Sequence, residues 1–296
     1  MRKYLFALAL LLVPAAHAQV ARVFLSGVGN DLNDCSNAAT PCRSLQGAHD
    51  QAPAGAEVII IDSGGYGGAT ITKSITINAP TGVIAFVART ITINAGASDK
   101  VVLRGLTMNG AIFGDTNAIH FLVGNTLIVE NSVIAGFQFG IVAPGAAPQI
   151  VVANTEFRKI QSNAIDLAPS GVVFGRATVE NCRFLNVGGG VSALGFALIV
   201  IRDSVIAHAT LAVSASSSVT AAATVDVERC VITSNATAFF GSGLNQGFGV
   251  IRVSDSTVVN NTTLVTTSGT GSVLSYSNNR LSSNGGGGFT GTVIRT

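Results

Sequence analysis

Residues 225–232 read VDVERCVI, and the chain says much the same thing seven more times. The copies are VVLRGLTM (101–108), LIVENSVI (127–134), IVVANTEF (150–157), ATVENCRF (177–184), IVIRDSVI (199–206), IRVSDSTV (251–258) and LSYSNNRL (274–281). Aligned on the residue that follows the last outward strand position, they give Gly105, Asn131, Asn154, Asn181, Asp203, Arg229, Asp255 and Asn278, at steps of 26, 23, 27, 22, 26, 26 and 23 residues. A period in the twenties that varies by a few residues is that of a solenoid.

The content of each copy decides which solenoid. Residues four and two places before the anchor are apolar, from Val101 and Leu103 through Val225 and Val227 to Leu274 and Tyr276. This period of two predicts a strand with those residues inward. Three places after the anchor the inward set resumes with Met108, Ile134, Phe157, Phe184, Ile206, Ile232, Val258 and Leu281. About ten after it stand Ile141, Ile165, Val191, Val213, Phe239 and Val265. Each repeat therefore holds several short strands and no amphipathic helix, which excludes the leucine-rich, ankyrin and tetratricopeptide repeats. What remains is a coiled sheet whose turns stack at roughly 4.8 Å by parallel pairing. The anchor is a corner, where Asn or Asp tolerates the left-handed region and amide side chains can bond to their copies above and below. Arg229, between Asp203 and Asp255, alternates the charge where the amide is lost. Ahead of the clear repeats, Ile84, Phe86, Ile91 and Ile93 are read as inward residues of earlier turns.

The repeat, with the stretch SLQGAHDQAPAGAEVIIIDSGGYGGATITKSITI (44–77) before it, resembles secreted right-handed parallel β-helix proteins of the pectate-lyase-like superfamily. The matching parts are a short capping helix at 44–51, an apolar strand at 58–61, the Gly65-Tyr66-Gly67 turn and a first coil at 71–77. The resemblance covers about residues 22–296. It implies an all-β fold, a right-handed single-stranded parallel β-helix with a short N-terminal capping helix, in a superfamily that holds lyases, hydrolases, phage tailspikes and many proteins with no known activity. That superfamily's catalytic signatures, clustered acids for calcium with an arginine base or an Asp trio with a Gly-His-Gly segment, do not occur here.

Residues 1–18 read as a secretory signal: Arg2 and Lys3, an apolar run from Tyr4 to Val13, then Ala16-His17-Ala18 as a small-residue cleavage pattern. The run is too short for a permanent membrane span, and no second stretch of that length follows. The expected division is a signal at 1–18, an N-terminal cap segment at 19–56 and the β-helix at 57–296, in a protein that is secreted or periplasmic. Removing Arg2 and Lys3 from the 17 basic residues leaves 15, against 15 acidic. A neutral chain lacks the basic stripe of a nucleic-acid binder and any strong electrostatic hold on an acidic polymer. In an oxidising compartment Cys35 and Cys42, close together in a polar segment, are expected to pair. Asp31, Asp34 and Asp50 flank them, in a spacing that matches no EF-hand.

A β-helix enzyme would carry its chemistry on outward positions of neighbouring turns. The outward column before the anchor reads Arg104, Glu130, Ala153, Glu180, Arg202, Glu228 and Ser254, with Asp226 and Arg252 adjacent two places earlier. Glu180 and Glu228 fall two turns apart, about 9.6 Å, near the upper limit for an inverting carboxylate pair. Arg202 between them favours the charged form of both and so disfavours a general acid. Glu180, Arg202, Glu228, Asp226 and Arg252 are thus candidate binding residues rather than catalytic ones. His49, His120 and His208 are isolated, no spacing suggests a metal, and no cofactor is implied. The expected function is non-catalytic binding of a polysaccharide or envelope surface, the alternative a lyase or hydrolase with an atypical site. Corners of variable length after Ile141, Leu167, Val213 and Phe240 should share one edge, along which the binding surface is expected, with Phe137, Phe139, Phe240 and Phe248 as the aromatic candidates near it.

Two further expectations test the register. Cys182 and Cys230 share the column after the anchor but lie two turns apart, beyond the roughly 7 Å that a disulfide spans, so both should be buried free thiols. At the end of the chain, Phe289, Val293 and Ile294 should cover the last turn, with 284–288 as a flexible lead. The sequons at Asn235, Asn260 and Asn261 are read as accidents of a Ser/Thr/Asn-rich solenoid.

Overall fold

A computed structural model describes residues 21–218 and 220–293. The expected signal, its cleavage point and Ile294 lie outside the described residues. Strands pair in parallel with their copies in the next turn and close three sheets of 12, 10 and 9 strands around one core. The first sheet runs from Arg22–Leu25 to Gly291–Thr292, the second from Gly64–Gly65 to Arg280–Ser282, and the third from Ala69–Ile71 to Thr263–Gly269. One turn visits them in order: Thr126–Glu130, Val133–Ala135, Phe139–Ala143, then Gln149–Ala153 back in the first. Leu127, Val129, Ile134 and Ile141 of that turn are buried, as the alternation requires.

The anchor column is a corner in the left-handed region, with φ from 48° to 51° at Asn131, Asn154, Asn181, Asp203, Arg229 and Asp255 and 75° at Gly105. A second such corner, invisible to the hydrophobic pattern, stands five residues later at Gly136, Lys159, Asn186, His208, Ser234, Asn260 and Ser283. His208 and Asn260 thus have backbone roles. The hydroxyl after the first corner is buried and fully used. Ser204 Oγ donates to Arg202 O (2.7 Å) and accepts from Cys182 N (3.0 Å), and Ser256 repeats this with Ser254 O and Cys230 N. Cys182 and Cys230 occupy equivalent places as free, buried thiols two turns apart, as expected.

The amide ladder lies elsewhere than expected. In the anchor column only two such bonds are seen among the described residues, Asn181 to Asn154 and Asn278 to Asp255. The continuous ladder is inside, at Asn235, Asn261 and Asn284. Asn261 Oδ1 accepts from the main chain and the side chain of Asn235 (3.0 and 2.9 Å), and Asn284 Oδ1 does the same for Asn261 (3.1 and 2.8 Å). Solvent competes for outward amides; inward ones must satisfy the main chain of the next turn. Residues 284–288 are therefore not a flexible lead: Gly285 N reaches Asn261 O, and Gly286 O takes Leu264 N. Phe289 packs on Phe239 at 6.2 Å, against the core.

Two registers differ by one residue. In the last turn Val273 and Ser275 face inward, not Leu274 and Tyr276, because the left-handed residue is Ser277 and the corner holds one residue more. In an early turn Ala85 and Val87 are inward, while Ile84 is 61% exposed and Phe86 faces out. A slip of one flips every side chain of a strand. Phe137, read as an edge aromatic, is wholly buried. The variable corners after Val213 and Phe240 are in part strand, through Leu211–Ser217, Ala222–Glu228, Thr237–Gly243 and Phe248–Ser254. There the first and third sheets close to backbone contact: a Cβ at Gly249 would lie 2.1 Å from Ala215 O.

At the start, helix Leu45–Gln51 is capped by Ser44, whose Oγ accepts from Gly47 N (3.0 Å). Asp31 accepts from Arg43 N and Ser44 N (2.8 Å each), so its carboxylate holds the entry to the helix. Buried His49 accepts the Thr72 N–H at Nε2 (3.1 Å). Cys35 and Cys42 are disulfide-bonded, with Cα atoms 5.2 Å apart. The first sheet already begins at Arg22–Leu25, inside the expected cap segment.

Candidate functional site on the outer face of the first sheet

Parallel pairing in register places Arg104, Glu130, Ala153, Glu180, Arg202, Glu228 and Ser254 in one outward column, with Asp226 opposite Arg252 alongside. All five candidate residues therefore share one face. Four of them, Arg202, Asp226, Glu228 and Arg252, line an open groove of about 430 Å³ together with Val200 and Tyr276. Tyr276 reaches it because of the shifted last register.

The charges in the groove are paired. Arg202 Nε lies 3.1 Å from Glu228 Oε2, and Arg252 donates to Asp226 at 3.2 Å. Arg229 at the corner, which sequence reading treated as structural, joins this network: it grips Asp203 with two nitrogens (2.9 and 3.0 Å) and also donates to Glu228. The Arg229 guanidinium hydrogen-bonded to Asp203 holds that carboxyl below the usual carboxylate range, and the same contact raises the guanidinium. Glu180 has no ion-pair partner among the described residues; Arg202 turns to Glu228 rather than bridging both. The face thus offers fixed guanidinium and carboxylate groups beside the apolar side chains of Val200 and Tyr276. It can hydrogen-bond a polar chain laid across the turns.

One carboxyl that sequence reading passed over is Asp166, outward on the third sheet between Val142 and Ser192. Burial pushes it up, opposed by hydrogen bonds from Ser192 and from Asn163 Nδ2 (3.2 Å). Its only signal in the sequence is its place as a lone acid in NAIDLAPSG. Among the described residues no three His, Cys, Asp or Glu side chains gather as metal ligands, and no helix is long and apolar enough to cross a membrane.

No protein-family model and no curated protein sequence matches the chain. Among solved structures, the crystal structure of pectate lyase Pel9A superposes with a TM-score of 0.68 at 14% identity, over 94% of this chain and 79% of that one. GH136 lacto-N-biosidase from Eubacterium ramulus gives a looser likeness, with a TM-score of 0.48 at 9% identity over 88% and 68%. Three parallel sheets, two left-handed corners in each turn from Asn131 on and the first of these likenesses make the fold that of a pectate-lyase-like parallel β-helix.

Proposed function

We propose that this is an exported, non-catalytic β-helix protein that binds a polysaccharide or cell-envelope surface along the outer face of its first sheet. The observation that carries the reading is the pairing of Glu228, Asp203 and Asp226 with Arg202, Arg229 and Arg252. Carboxylates fixed by guanidinium groups suit hydrogen bonding to sugar hydroxyls and do not suit proton donation. The signal-like start supports export of a mature chain beginning at Gln19, to the periplasm or beyond, with residues 19–56 as a cap segment and 57–296 as the β-helix. A right-handed coil, with helix Leu45–Gln51 covering its first end, agrees with the handedness rule for parallel crossovers. The fold of pectate lyase Pel9A supports a polysaccharide as the partner class.

A second reading, a hydrolase or lyase with an atypical site, draws on Asp166, whose raised pKa is a property of general acids. Its neighbours along the column, Val142 and Ser192, supply no second carboxylate.

Binding is tested by retardation of the mature protein in gels cast with polygalacturonate, xylan, mannan or cellulose derivatives. At least one polymer should retard the wild type, and Arg202→Ala with Arg252→Ala should weaken that at least tenfold at an unchanged melting temperature. Retardation by none, or equal retardation of the variant, would contradict the reading.

A further inference from the structure

Far from the first-sheet groove, the outer face of the second sheet carries another concavity near the N-terminal end, about 550 Å³ in volume. Its lining includes Gly65, Gly67, Phe86, Arg89, Ile112 and Phe113. That volume lies within the range of small-ligand sites. The floor is Phe86, turned outward between Gly65 of the turn before and Thr107 of the turn after. The wall is the 110–116 segment, which holds Ile112 60% and Phe113 58% exposed. These exposures are built rather than incidental. Gly114 N bonds to Gly110 O (2.9 Å), Ala111 N to the Asn109 side chain (3.0 Å), and Thr90 N to Asp115 Oδ2 (2.8 Å), so the loop is tied at both ends.

Gly65 shows what the concavity is for. Its backbone is not in the left-handed region, and an added Cβ would meet nothing nearer than Phe86 Cδ1 at 4.0 Å. Neither conformation nor packing requires glycine there, yet any larger side chain would stand in the groove. Beside the aromatic floor, Arg89 lies over the Phe113 ring at 5.1 Å and pairs with Asp115 at 3.2 Å. Its charge is thereby balanced, and Arg43, which donates to Gly65 O at 2.9 Å, has the carboxylates of Asp31 and Asp62 near it, so each guanidinium at the groove faces an opposite charge. Flat aromatic surface edged by a balanced donor–acceptor pair is the complement of a pyranose, with C–H bonds on its face and hydroxyls on its rim.

We propose that this groove binds the ring face of a hexose unit in a neutral glycan. It is a site separate from the first-sheet face and does not depend on it. The test is saturation-transfer NMR and calorimetry of the mature protein with cellohexaose, xylohexaose and mannohexaose, and with hexagalacturonate as the charged control. At least one neutral hexamer should bind, with affinity falling at least tenfold in both Gly65→Leu and Phe113→Ala and unchanged in Val172→Ala, an exposed position outside both grooves. Circular dichroism should show both groove variants folded, since one site is open and the other exposed. Absence of binding by every neutral hexamer, preference for hexagalacturonate, or binding indifferent to Gly65→Leu would overturn the proposal. So would a concentration-dependent dimer abolished by Phe113→Ala, which would give the groove to a second copy of the chain.

Discussion

Cys182 and Cys230 stand where other turns place Ser132, Ser204 and Ser256, and the reason is geometric. Each thiol points at the carbonyl two residues back, Glu180 O or Glu228 O, at 3.2 Å, the same acceptor position that the hydroxyls use. Burial pushes both thiols up from 9.0 to about 11. The sign follows: in the unfolded chain they ionise first, so the folded state is the better proton binder between those values. Their contribution is therefore intact below pH 9 and is lost as the pH rises toward 11, by on the order of 2 kcal/mol per thiol. Denaturant unfolding at pH 7, 9 and 10.5 should show wild-type stability falling more steeply than that of Cys182→Ser/Cys230→Ser. At pH 7 the two should differ by less than about 1.5 kcal/mol, because a hydroxyl fits the column. Parallel pH curves would mean that the thiols are not buried as described.

At the scale of the element, the stack of Asn235, Asn261 and Asn284 binds the last turns through their interior. Asn261 accepts from Asn235 N and donates to Ile232 O and Val259 O, so Asn261→Leu strands several buried main-chain groups. A loss of about 3–5 kcal/mol is expected in urea unfolding. Asn260→Gly, at the adjacent left-handed corner (φ 58°), should cost little by the same measurement. This contrast also marks what the sequence could reveal. Strand positions, their period and the first corner were legible because burial imposes alternation and αL geometry selects Asn and Asp. The second corner was not, since Lys159, His208 and Ser234 share no chemistry and only the backbone makes them alike. Nor was the inward ladder, because an Asn beside a corner looks the same whether it faces in or out. The shifted turns at Ala85–Val87 and Ser272–Ser275 escaped for a third reason: both alternations there offer apolar residues, and in the last turn one extra corner residue chooses between them.

Across the whole molecule, the candidate face was legible as a set of columns because parallel register carries equal offsets from turn to turn. Its electrostatic state was not. Arg229 lies at a corner in the sequence pattern yet reaches both Asp203 and Glu228, and Tyr276 joins the groove only through the register shift. The consequence is a groove of paired charges, with Glu180 on the same face but without an ion-pair partner among the described residues, and the proposed binding role rests on that pairing. The most direct measurement incubates the mature protein with uronic-acid and neutral glycans, with and without calcium, and follows new reducing ends and unsaturated product. The paired state of Glu228 and Asp226 predicts neither product above the rate of heat-denatured protein. Release of either, at a rate abolished by Glu180→Gln or Glu228→Gln, would contradict the account and make the face an active site.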